Sequence, residues 1–137
     1  MGVFLRELQS VGISQVALPE WLQDEGVDPV ILRTKIEFIC RAGGLRLSDG
    51  DDALLQITIK CIPARAANRN LGFFYTSEFR LLQYVQSVQE KKMARSVTWS
   101  SYQMNIAPDF ETLKADLIFI IQHQSEAFVN SVSAAKD

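Results

Sequence analysis

The sequence predicts a two-layer α/β sandwich of the α+β class, with a mainly antiparallel 4-5-stranded sheet, two helices on one face and the order β-α-β-β-β-β-α. Three observations carry this reading. Residues 53 to 106 hold successive runs in which apolar and polar side chains alternate, as half-buried strands require. Segments patterned for helices bracket those runs on both sides. A doubly wound sheet would need more crossover helices than the chain provides.

Phe4, Leu5 and Leu8 fall at helical spacing, so residues 3 to 10 read as a short helical turn on an edge. Val11 to Leu18 reads as the first strand, ended by Pro19, and residues 19 to 28 as a loop. The first helix then starts at Asp28, which caps free N–H groups, with Pro29 at a position that needs no donor. Leu32, Ile36, Ile39, Cys40 and Gly43 make its apolar stripe, Arg33, Glu37 and Arg41 flank it, and Gly43-Gly44 supplies the exit.

Leu45 to Leu47 reads as a short strand, and Ser48 to Asp52 as a polar turn that lacks the ligand spacing of an EF-hand. Strands are expected at about 53 to 62, 71 to 86 and 93 to 106, joined by loops Pro63 to Asn70 and Ser87 to Lys92. The middle strand is long enough to require a bulge or a bend. In the third, Val97 and Trp99 are expected on the apolar parity, opposite Ser96, Thr98 and Ser100. The last helix runs from about Pro108 to Val132 on a stripe of Phe110, Leu113, Leu117, Ile121, Gln124, Phe128 and Val132, and the tail beyond it is expected to fray. No repeat, low-complexity tract or linker interrupts the chain, so residues 1–137 read as one domain with an ordered core of about 11–132.

Composition bounds the function. The 137 residues are 47% hydrophobic and 22% charged, an ordinary globular balance that calls for no cofactor to fold. Fourteen basic and sixteen acidic residues give a net charge of −2, too little positive field for nucleic acid. The most apolar run, Leu117 to Ile121, falls short of the roughly 18 to 20 residues of a membrane span. Met1 to Glu7 carries no secretory signature, so the chain as given reads as cytoplasmic, or as periplasmic or envelope-bound if an upstream leader was trimmed. Gly2 is not followed by Ser or Thr at position 6, which argues against myristoylation.

Catalytic constellations are not expected either. Cys40 and Cys61 stand 21 residues apart on core-facing positions and read as buried thiols, with a bridge possible only if their Cα atoms come within about 7 Å. Neither spacing nor neighbours complete a metal set. The single His123 has Glu126 three residues on but no nucleophile beside it, and Asp109 and Glu111 suit the start of a helix rather than acid–base work. Gly43-Gly44 follows a helix, the reverse of a phosphate loop.

Several stretches carry a resemblance: Leu32-Arg33-Thr34-Lys35-Ile36-Glu37, Arg41-Ala42-Gly43-Gly44-Leu45, Leu55-Gln56-Ile57-Thr58-Ile59 and Thr98-Trp99-Ser100. Over residues 11 to 132 the chain resembles small bacterial α/β domains related in architecture to the N-terminal domain of TolB and to curli-secretion lipoproteins. The resemblance implies a cell-envelope setting and transfers no functional residue.

The functional expectation is a non-enzymatic protein-interaction or scaffolding domain that offers its open sheet face, a free strand edge or an outer helix surface to another protein or, as a homodimer, to a second copy. Phe74, Tyr84 and Tyr102 fall on the open sheet face, and Phe119, His123 and Glu126 on an outward helix face that offers a self-association surface. The alternative is a small-ligand binding module with a pocket between helices and sheet.

Overall fold

From Leu55 to Cys61 every second side chain is buried, and Gln56, Thr58 and Lys60 between them are not. The computed structural model describes residues 5–48, 53–86, 89 and 91–137. It builds this alternation into a five-stranded mixed sheet: β1 (Ser10–Ile13), β2 (Arg46–Leu47), β3 (Leu54–Ala66), β4 (Arg69–Gln86) and β5 (Met93–Ala107), in the spatial order β2-β1-β3-β4-β5. β1 pairs in parallel with β2 and β3, and β3, β4 and β5 form an antiparallel meander.

Among the described residues, three helices of a full turn or more accompany the sheet: α1 (Glu20–Asp24), α2 (Pro29–Ala42) and α3 (Phe110–Lys136). The first was expected to be loop. It is only five residues long, without a side-chain cap, yet its Leu22 is fully buried and Trp21 stacks on Phe73, which meets Phe110 edge-on. Tertiary packing, rather than local propensity, holds so short a helix.

α2 begins as the sequence indicates, with the Asp28 carboxylate accepting from the Val30 N–H at 2.8 Å. The two glycines at its end divide the work. Gly44, at φ +91°, takes the left-handed exit, whereas a Cβ on Gly43 would lie 2.2 Å from Cγ1 of Val129. Gly43 therefore sets how closely α2 approaches α3. The latter is capped by Asp109, whose carboxylate accepts from the Thr112 N–H at 2.7 Å, a bond that lowers its pKa. It continues to Lys136, four residues past the end expected at Val132.

Strand boundaries also move. β1 stops at Ile13, because the ladder from Ser14 to Leu55 resumes only from Ala17 to Ile57, leaving one extra residue on the β1 side. The loop expected over Pro63 to Asn70 contracts to a two-residue turn, Ala67-Asn68, both at positive φ. Pro63 fits inside β3 because the main-chain groups of the odd residues 53 to 59 face β1, and β1 ends before Pro63 is reached. The bulge anticipated for β4 lies across from it: Leu81 pairs with Trp99 and Leu82 with Val97, so Thr98 is the extra residue. Trp99 is buried as expected, but before it the bulge reverses the expected parity, burying Thr98 and leaving Val97 exposed.

The core lies between the helices and the sheet face that carries Leu55, Ile57, Tyr75, Phe79, Leu81 and Trp99. One buried polar residue anchors α3 there. Gln124, fully buried, accepts from the Ser77 hydroxyl at 2.6 Å and donates to the Ser77 carbonyl at 3.0 Å and to the Ser101 hydroxyl at 3.2 Å. A helix stripe read as apolar thus contains its register pin. The opposite sheet face, expected to be wet, carries one apolar row at its end, Ile62, Phe74 and Ile106, while the next two rows set Met104 beside Thr76 and Lys60, and Tyr102 beside Glu78 and Thr58. The Leu5–Arg6 turn is present, Phe4 and Asp49 to Asp52 lie outside the described residues, and Cys40 and Cys61 are free, buried thiols.

Candidate functional site

β5 closes one side of the sheet, and among the described residues no strand pairs with its outer edge. The ladder dictates which of its main-chain groups face outward. Gly12 donates to Ala53, Ser14 to Leu55, and Ile59 to Ala17, so odd residues of β3 bond toward β1 and even ones toward β4. Alternation through the β3–β4 and β4–β5 registers then turns Ser101, Gln103 and Asn105 toward β4. Ser100, Tyr102, Met104 and Ile106 present N–H and C=O groups to the outside.

Both ends of this row are closed. The Ile106 N–H donates to its neighbour Asn105 Oδ1 at 2.9 Å, and the Thr98 bulge interrupts the other end. What remains is Ser100 to Met104, a window centred on Tyr102. It contains no charge and no proline. The other free edges are protected: β2 is two residues long and carries Arg46, and the part of β3 beyond β1 carries Lys60, Pro63 and Arg65. Tyr102 and Met104 are 57% and 59% exposed on the open face. Sequence reading placed Tyr102 on that face but missed the window; its signal is the absence of charge and proline from Trp99 to Ala107.

On the helix-covered side, a cleft of about 370 Å³ lies between α3 and the same strand, lined by Tyr75, Gln103, Asn105, Asp116, Phe119, Ile120 and His123. The Tyr75 hydroxyl donates to Asp116 Oδ2 at 3.3 Å. Burial first, and then the Asp116 charge, push the tyrosine pKa up to about 12, so it remains a donor. Phe119 and His123 stack at 6.0 Å between ring centroids and 10° between planes. Glu126 is not with them. Its carboxylate accepts from Gln122 at 3.2 Å and borders a separate groove between α2 and α3 with Phe38 and Val129.

Burial, with Glu37 adding to it, raises the Cys40 thiol to about 12, and burial raises Cys61 to about 11, so neither is a ready thiolate. Among the described residues no group of His, Cys, Asp and Glu is placed to hold a metal, and no helix is long and apolar enough to cross a membrane.

No family model matches the chain, and no curated protein matches it. Among solved structures it is similar to the PelC dodecamer from Paraburkholderia phytofirmans, at 12% identity over 88% of this chain and 86% of that one, with a TM-score of 0.44. It is also similar to a minor lipoprotein from Acinetobacter baumannii, at 12% identity, 92% and 93% coverage and a TM-score of 0.39. Protein XCC0632 from Xanthomonas campestris matches at 8% identity, 90% and 83% coverage and a TM-score of 0.47. Of these three, one is named a lipoprotein; the TolB part of the resemblance drawn from the sequence is not confirmed.

Proposed function

We propose that this chain is a non-enzymatic, homotypic interaction domain, in which the Ser100–Met104 window of β5 pairs antiparallel with the same window of a second copy. The observation that carries the reading is the unprotected window itself, in a sheet whose other edges are short, charged or interrupted by proline. Because the window is centred on Tyr102, a two-fold axis there pairs Tyr102 with Tyr102 and Ser100 with Met104 of the other copy. Every outward group between the bulge and the Asn105 cap then finds a partner. No like charges meet across the seam. Such an axis also makes the contact self-limiting, since each copy uses up its own open edge.

Phe119 and His123 stand over the same strand on the helix side, so they border the seam, whereas Glu126 faces away from it. Strand pairing alone makes a small interface, for which a dissociation constant on the order of 10 to 100 μM is expected. Light scattering from low micromolar to millimolar protein checks this. The apparent mass is expected to rise from the 15.4 kDa monomer toward twice that value, and a constant monomer mass would contradict the proposal. For location, the sequence resemblance to envelope domains favours the bacterial envelope.

A further inference from the structure

We propose that the cleft between α3 and β5 binds a small organic ammonium ion bearing a flat or apolar group. All of its lining residues belong to one copy, so the site forms in the monomer, and Phe119 and His123 place it beside the proposed β5 seam. Tyr75, Asp116, Phe119, Gln103 and Asn105 are among its lining residues, and the Tyr75 hydroxyl meets the Asp116 carboxylate.

Asp116 supplies the charge. It is half-buried, and among the described residues its one hydrogen bond, from Tyr75 at 3.3 Å, is long for a hydroxyl on a carboxylate, which ordinarily closes to about 2.5–2.7 Å. Among the described residues no lysine or arginine pairs with it; Lys114, on the same helix, is held by Glu111 at 3.4 Å and lies over the Phe110 ring. A half-buried carboxylate without a cation is the group whose desolvation an ammonium N–H offsets best. Phe119 supplies the second determinant. One face of its ring stacks on His123, yet the side chain is 69% exposed, which leaves the other face to a cation or a flat group. A volume of about 370 Å³ accommodates a one-ring amine. An anion would meet Asp116 with like charge, and a neutral ligand would leave the carboxylate unmatched.

The test titrates the 137-residue chain with benzylammonium, with its neutral counterpart benzyl alcohol and with benzoate, followed by amide chemical shifts. Saturable shifts at Asp116, Phe119 and His123 with benzylammonium, at least tenfold weaker effects of the other two, and at least a tenfold loss of affinity in Asp116→Asn would support the site. Asn keeps an acceptor for Tyr75, so the variant is expected to fold. Should it not, Phe119→Ala, at an exposed position, reads the same loss. Absence of shifts in the cleft, equal binding of benzyl alcohol, or unchanged affinity in the folded variants would overturn the proposal.

Discussion

Replacing Gln124 with alanine is expected to destabilise the protein by about 3 kcal/mol, combining a cavity in a packed core with buried polar groups left without partners. The side chain is fully buried and bridges α3 to two neighbouring strands, through the hydroxyl and carbonyl of Ser77 on β4 and through Ser101 on β5. Removing it orphans the Ser77 hydroxyl, itself fully buried. Urea unfolding should show a lower midpoint with an unchanged slope. Gln124→Leu fills the volume but still orphans Ser77, whereas the double variant Ser77→Ala/Gln124→Leu replaces both partners by apolar groups and should recover much of the loss. Equal stability of the two leucine variants would remove the Ser77–Gln124 bond from the account.

Opposite charges placed at position 102 are expected to convert self-association into selective pairing. With the two-fold axis at Tyr102, the Tyr102→Lys protein puts two lysines directly opposite one another, and Tyr102→Glu does the same with carboxylates; like charges so placed disfavour strand pairing. Each variant alone should therefore dimerise at least tenfold more weakly than the parent. Mixed in equal amounts, they should associate, and added salt should weaken the mixture as it screens the new pair. Glu78 pairs across from Tyr102 on β4, so the lysine variant gains a partner within its own sheet and the glutamate variant gains a repulsion. The mixture is informative for that reason: only contact between copies makes it behave differently from its components. Failure of the mixture to associate, with both variants folded, would place the axis elsewhere.

Much of the architecture was legible because one face of the sheet is buried. Leu55, Ile57 and Ile59 alternate so regularly that strand, face and register follow from parity, and Asp28-Pro29 and Asp109 mark helix starts by hydrogen-bonding chemistry that acts locally. What the sequence hid depends on distant contacts. Leu22 and Trp21 form a helix because of what lies above and below them, not because five residues favour one. Ala67 takes positive φ although it is neither glycine nor asparagine, and Asn68 alone announces the turn. One extra residue at Thr98 exchanges the surroundings of Val97 and Thr98, and no local pattern reports it. Of the candidate site, Phe119 and His123 were read together and do stack, while Glu126 turns to Gln122 one turn earlier on the helix. The β5 window went unread because an edge is a property of sheet order, which alternation does not encode.

The pairing of β5 is tested most directly by amide hydrogen exchange at Ser100, Tyr102 and Met104 as protein concentration is raised. In a single copy these N–H groups face solvent; in the paired state they donate across the seam. Exchange at these three positions is expected to slow progressively with concentration, while Gln103 and Asn105, which bond within the sheet, stay protected throughout. Rates at Ser100, Tyr102 and Met104 that stay fast and independent of concentration up to the millimolar range would contradict the account.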